Sequence, residues 1–477
     1  MISFLDGVDD PAHAVLSGRL EKHPDGDLGI VRDQSKLIAF YLPQFHRIPE
    51  NSDWWGPGFT EWHNVVRARP NFEDHYQPHI PRELGFYDLT YVDVMREQAE
   101  LASLFGIYGF CFHYYWFSGR RILELPVDNF LKSDIDINFC LCWANENWTR
   151  TWDGDNEGIL LEQKYAEGDE TLFINSLIEA FSDSRYIKVN GKPLLVVYRA
   201  KHIPNPVQSF DKWRAEALRH GFPGLHISVV DFYDITDPHE VGADALIEFP
   251  PHKFAGPFSH PDQIPKITNP LFYGGIVDYA KITAISATRQ APDFMFYRGI
   301  VPSWDNTARR QNNPTIIVNA SPTLYGSWLR YLRAYNRHHT TDETHQLIFV
   351  NAWNEWAEGC HLEPDLCWGM QYLEQTYQSA FYDAAIHATG SENELAAARE
   401  ALLKEAATTV LLSKGVNEAG TMANNPDEAE VRAVAATLSD YPQPGKMARS
   451  IATVLSKWPR LFQIGKKVYV FSRRLRG

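Results

Sequence analysis

Cysteine is scarce in this chain. Five thiols stand in 477 residues, at Cys111, Cys140, Cys142, Cys360 and Cys367, with no paired C-x-x-C spacing. That excludes a disulfide-built scaffold and a zinc-finger type of site, and it fits free thiols in a reducing compartment. No run of about 18 apolar residues occurs, which excludes a helical membrane span. The opening stretch MISFLDGVDDPAHAVLSG is acidic and lacks the apolar core of a secretory leader. The expected compartment is therefore the cytoplasm, extending to the inner-membrane surface. No G-x-G-x-x-G follows a strand pattern and no P-loop is present, so no cofactor is expected. Basic charge is also in deficit. The net charge is −15, which argues against nucleic-acid binding, because phosphate contacts need a basic footprint.

Aromatic residues, by contrast, are abundant. They make up 13% of the chain, with 14 Trp and 22 Tyr. Such rings either fill a large core or form stacking surfaces, and sugars and bases both bind stacking surfaces. Charge is unevenly spread. Tyr441 to Gly477 carries nine Lys/Arg and no Asp/Glu, so the chain's −15 divides into −24 on residues 1–440 and +9 on the tail. The tail mixes those cations with Trp, Phe, Leu and Val. It reads either as a surface that lies on anionic lipid or as a helix packed on the acidic body.

Between these ends the sequence has a rhythm. Eight short apolar runs recur: 36–42, 107–115, 137–143, 194–198, 225–230, 245–249, 294–301 and 347–353. They are continuously apolar rather than alternating, as strands covered on both faces must be. Helical patterns separate most of them, at 89–106, 169–183, 209–221 and 321–339, and 371–388 reads as a closing helix. The sixth unit shows the weakest helix, beside a Pro-rich loop at 250–275. Eight strand–helix units over some 350 residues predict a (β/α)8 TIM barrel. The predicted organisation is an arm at 1–35, the barrel at 36–388, a helical extension and linker at 389–440, and the basic tail at 441–477.

A barrel of this kind builds its site at the C-terminal ends of its strands. Reading just past the runs gives Tyr41, then His113 and Tyr115, then Trp143, Asn145, Glu146 and Trp148. The later runs add Asp231, Glu248, Trp304, Asp305, Trp353, Asn354 and Trp356. Each could singly be a core or loop residue. Their repetition at strand after strand points to a carbohydrate site, where rings stack on C–H faces while amides and acids bind hydroxyls. No metal is expected: Asp153-Gly154-Asp155 is a D-x-D, but such triplets are common in loops. His338-His339 end a helix, where cationic His suits the dipole.

Two acids stand out. Glu355 and Glu358 lie three residues apart after the eighth run. In a helical turn that spacing brings Cβ atoms within about 5–6 Å, and a retaining glycosidase needs its carboxyl groups about 5–5.5 Å apart. Two carboxyls that close would also push one proton affinity up, leaving one acid and one base. The bland alternative is one acid in solvent or paired with an arginine.

WNEWAEG (353–359) with HLEP (361–364) resembles the signature of family-99 glycoside hydrolases, the endo-α-mannosidase type. AFYLPQFHRIPENSDWWGPGFTEWHNV (39–65), GFCFHYYWFSGRR (109–121) and LCWANENWTRTWDG (141–154) resemble the WbsX-type family of bacterial polysaccharide and lipopolysaccharide loci, which has a family-99-like barrel. The likeness spans roughly 36–385. It implies retention through the sugar's own 2-hydroxyl, which attacks C1 to give a 1,2-anhydro sugar. Glu355 would be the base on that hydroxyl and Glu358 the general acid/base on the bridging oxygen. Ala357 stands where the hydrolases commonly carry His, so mannose specificity does not carry over. The expected function is a retaining endo-glycosidase or transglycosidase acting on a surface polysaccharide (O-antigen or capsule), including a lipid-linked one. A retaining glycosyltransferase in O-antigen synthesis is the alternative, and a noncatalytic glycan-binding barrel a third.

Overall fold

The computed structural model describes residues 30–149, 159–256, 260–383, 391–419 and 428–439. The acidic N-terminal stretch, the D-x-D at 153–155 and the basic tail lie outside the described residues. Eight parallel strands close on themselves: β1 (Lys36–Tyr41), β2 (Ile107–Phe117), β3 (Asn138–Trp143), β4 (Lys192–Val197), β5 (His226–Val230), β6 (Ala245–Ile247), β7 (Phe296–Ile300) and β8 (Leu347–Val350). The ring shuts where β8 pairs with β1, from Leu347↔Lys36 to Val350↔Ala39. This is a (β/α)8 barrel. The continuous apolar runs have their physical reason here. Residues Leu37 to Tyr41 and Leu347 to Val350 are all buried, facing the barrel lumen on one side and helices on the other. Cys140 and Cys142 are buried core residues of β3.

The helices pack outside. Besides two short helices in the connection after β1, Pro49–Trp55 and Trp62–Arg67, they are α1 (Val92–Leu104), α2 (Leu125–Lys132), α3 (Asp169–Asn175), α4 (Ile178–Ser182), α5 (Pro206–Arg219), α6 (Tyr279–Thr288), α7 (Pro322–His339) and α8 (Gln371–Gln378). Side-chain caps set the starts of α5 and α7. Asn205 accepts from the Gln208 N–H before Pro206, and Ser321 accepts from the Leu324 N–H before Pro322. The weak sixth unit is α6. All ten of its residues are buried, because α9 (Ser391–Ala419) and α10 (Glu428–Ser439) cover its outer side. A helix covered all round has no polar face, so its sequence lacks amphipathic spacing.

Two expectations are corrected. The pattern at 169–183 breaks into α3 and α4 instead of one helix. The closing helix stops at Gln378, and Phe381–Asp383 forms a strand antiparallel to Ile30–Arg32. The Asp33 N–H donates to the Ala380 carbonyl at 2.7 Å, Asp33 is paired with Arg333 at 2.8 Å and with Arg337, and Arg337 lies over the Tyr382 ring. Paired backbone and a buried charge outweigh the helical pattern there.

Candidate active site

The segment after β8 is fastened before it turns. The Trp353 N–H donates to the Phe40 carbonyl. The buried Asn354 amide grips Leu42 from both sides, accepting its N–H at 2.7 Å and donating to its carbonyl at 3.0 Å. A 3-10 turn over Trp356–Glu358 follows. Gly359 ends it at φ 56, where the Asp305 N–H donates to the Glu358 carbonyl at 2.6 Å. A Cβ at Gly359 would meet Asp305 atoms at 3.0 Å in a left-handed conformation, so only glycine fits without strain.

This turn delivers both glutamates to one guanidinium. Arg309 donates from Nη2 to Glu355 Oε2 at 3.0 Å, from Nη1 to Glu358 Oε1 at 2.7 Å, and from Nε to Glu61 Oε1 at 2.9 Å. Arg309 follows a short turn at Asn306–Ala308 that Asp305 caps through the Thr307 N–H. The other oxygen of Asp305 accepts from His75 at 2.5 Å and Gln77 at 2.7 Å. Three carboxylates thus bond one cation, with Arg310 acting on Glu358 through space. Burial pushes the Glu355 carboxyl up; Arg309 opposes this, Glu358 and Glu61 add to it, and the result is about 8. Burial raises Glu358 as well, again against Arg309. The cluster therefore holds a proton near neutrality, and that proton belongs to the pair.

The cluster sits in a cavity of about 930 Å³ at the strand ends. Of the sequence-derived candidates, His113, Tyr115, Asn145, Glu146, Trp148, Trp304, Glu355 and Glu358 line it. Tyr115 stacks on Trp148 with centroids 5.4 Å apart, and Gln44 donates to its hydroxyl. Asn145 is held by both backbone groups of Arg199, and Glu146 pairs with the Arg199 side chain at 3.0 Å. Burial, with Arg309 adding, lowers His113 to about 4, so the ring is neutral. Its Nδ1 has no hydrogen-bond partner among the described residues. Neutral imidazole, amides, acids and stacked rings bind hydroxyl-rich ligands.

The other candidates are not in this cavity, and each is corrected. Tyr41 is core: its ring packs on Phe110 and Phe112 and its hydroxyl donates to Gln98 at 2.6 Å. Trp143 faces the helices against Phe173 and Trp213. Asp231 and Glu248 are consumed by Arg289, Arg298 and Lys253. Trp353 is buried against Phe110. Asn354 is the clamp just described, and Asp305 stands behind Arg309. Trp356 stacks on His361 at 3.7 Å and donates to Glu363 at 2.6 Å. The same Glu363 also accepts from Tyr87 and Gln98.

Residues not singled out from the sequence also line the cavity, notably Arg309 and Tyr198. Tyr198 ends the fourth apolar run, so the strand-end reading applied there would have found it. Arg309 and Glu61 had only a weak signal: a paired acid site needs a cation, and N-T-A-R-R follows β7.

Comparison with known proteins places the chain among others. The family described as Glycosyltransferase WbsX matches residues 37–376. WxcX, an uncharacterized protein of Xanthomonas campestris pv. campestris, is 42% identical over 344 residues, in the form from strain B100 as in a second strain. That alignment covers 72% of this chain and 49% of the relative, so the chain spans about half the length of the curated relatives it matches. Among solved structures, a glycoside hydrolase-like protein superposes with TM-score 0.46 at 15% identity, covering 76% of this chain and 98% of that one. The GH99 endo-alpha-mannosidase from Bacteroides thetaiotaomicron gives 0.44 at 15%, covering 77% and 99%.

Proposed function

The chain belongs to the WbsX glycosyltransferase family, a carbohydrate-active family, and from that premise we propose that it is a retaining enzyme acting on glycosidic bonds of a bacterial surface polysaccharide. The single observation that carries the reading is the pair Glu355 and Glu358 on one guanidinium in a cavity walled by rings and amides. Glu358 is the general acid that protonates the bridging oxygen and later activates the acceptor. Glu355 is the base on the donor sugar's 2-hydroxyl, whose oxygen attacks C1 as the leaving group departs.

Burial favours a protonated Glu355 in the free site. The base role requires that proton to move when the sugar binds. A 2-hydroxyl donating to Glu355 stabilises its charged form, as does Arg309 Nη2, and the shared proton passes toward Glu358. Endo-acting hydrolysis or transglycosylation is the first reading. Transfer from an activated donor is the second, favoured by the family's own description.

The test is incubation with purified O-antigen or capsule, lipid-linked and free, read by mass spectrometry. Shortened or re-linked glycan is expected, with no reaction when the donor sugar lacks its 2-hydroxyl. Turnover of the 2-deoxy donor at the normal rate would sink the anhydro route. Product only with a nucleotide sugar, and none from intact glycan, would favour transfer.

A further inference from the structure

Behind the catalytic turn lies a second cavity, of about 410 Å³, with Trp304 shared between the two. His79, His361 and Asp365 line it. One ligand-type atom from each lies within 4.8 Å of the others, and all three residues are buried. His79 comes from the long loop between β1 and α1, while His361 and Asp365 come from the segment that carries Glu355 and Glu358. None of the three takes part in the chemistry proposed above.

The hydrogen bonds orient this set. His361 Nδ1 lies 2.8 Å from the Glu363 carbonyl. A carbonyl only accepts, so Nδ1 carries the proton and Nε2 of the neutral ring is an acceptor, which takes the His79 Nδ1–H; a bound ion would stand in place of that proton, with the His79 ring in its other tautomer. The Nδ1–H bond to Glu363 is the arrangement by which a backbone carbonyl orients a metal-binding histidine. Nε2 stands 2.9 Å from His79 Nδ1 and 4.0 Å from Asp365 Oδ2. Asp365 Oδ1 accepts from the Trp368 N–H at 2.6 Å, and the Tyr76 hydroxyl also bonds the carboxylate. Stacking fixes both rings, His361 on Trp356 and His79 on Tyr76 at 4.5 Å.

Tetrahedral zinc with ligands at about 2.0–2.1 Å holds its donors roughly 3.4 Å apart. The separations of 2.9 and 4.0 Å straddle that value and the remaining pair lies within 4.8 Å, so side-chain shifts of up to about 1 Å would seat an ion. We propose that His79, His361 and Asp365 form a binding site for a zinc-type divalent ion, its fourth position open to the 410 Å³ cavity. The ion ties the β1–α1 loop to the catalytic turn. This departs from the sequence expectation of no metal.

The test uses the full chain, stripped with chelator and dialysed. Equilibrium dialysis with Zn2+ is expected to return one tight equivalent, and Co2+ to give the visible bands of a tetrahedral site. Asp365→Asn and His79→Gln are each expected to weaken Zn2+ binding by about tenfold or more and to remove the rise in Tm that Zn2+ causes in the parent. Failure of the parent to bind Zn2+ at micromolar concentration would overturn the site. So would equal binding by parent and both variants, which would place the ion elsewhere. Because these readouts are metal content, spectrum and Tm, their failure is separate from any failure of the glycosidic reading.

Discussion

Two clusters of acids stand at strand ends of the same barrel, and their charge balances are opposite. After β8, the carboxylates Glu61, Glu355 and Glu358 bond the single guanidinium of Arg309. Past β5 and β6, Asp231 and Glu248 meet three cations: Lys253, Arg289 and Arg298. Both clusters are buried, so desolvation acts alike on each. The outcome turns on the count of partners. Burial alone would raise Glu248, but Arg298 and Arg289 outweigh it and hold the carboxyl below its usual range. At Glu355, burial and two neighbouring acids outweigh Arg309. The first cluster also faces a cavity. In the second, Arg298 and Glu248 are each 1% exposed, and neither Asp231 nor Glu248 lines that cavity. An acid at a strand end thus has its proton affinity raised where cations are too few and lowered where cations are in excess.

The sharpest way to break this comparison is to neutralise the acids in turn. Glu355→Gln and Glu358→Gln are each expected to lower turnover by about 10²–10⁴-fold or more while glycan binding, measured by calorimetry, persists. Full activity in either variant removes the site assignment. Glu248→Gln is expected to do the reverse. It leaves Arg298 buried and poorly paired, which costs about 3–5 kcal/mol in urea unfolding, while the folded fraction keeps its turnover number.

The two acids should also part in their pH dependence. Glu248, held below its unfolded value, stabilises the fold above about pH 4.3, and that contribution fades as pH falls through its folded value. Glu355 has the opposite sign. Its proton affinity is raised to about 8 in the fold, so stability falls as pH rises from about 4.3 to 8. Glu355→Gln should therefore gain stability relative to the parent at pH 8 compared with pH 5, and a pH-independent difference would contradict this.

A smaller effect is expected from Arg309→Met. Arg309 lowers both carboxyls of the pair, so its loss should move the acid and base limbs of the pH–rate profile to higher pH, beside a reduced kcat. An unmoved profile would make Arg309 a purely structural clamp. The smallest effect belongs to Tyr41→Phe. It removes one buried hydrogen bond to Gln98, costs about 1 kcal/mol and leaves turnover unchanged, because Tyr41 lies outside the cavity.

Much of the barrel was legible because its strands are covered on both sides. Parallel strands between a lumen and a helix layer must be apolar along their whole length, so each announces itself as a run. The site was legible less evenly, and the reason is the alternation of side chains along a strand. His113 and Tyr115 point to the cavity, whereas Tyr114 and Trp116 point to the helices and pack on Phe173. Trp143 follows the outer set. A reading that takes every residue past a run gathers both faces. Asp231 and Glu248 misled for another reason, since Arg289 and Arg298 lie far along the chain and nothing local marks them as partners.

By itself the sequence determined the eight-unit barrel, and it placed Glu355 and Glu358 three apart past the last strand, because strand burial and turn spacing are local properties. Only the tertiary structure decided what those acids are. Arg309 lies 46 residues from Glu355 and 248 from Glu61. A carboxyl's proton affinity depends on which charges lie within a few ångströms and on how much water remains, and both are set by packing between distant segments.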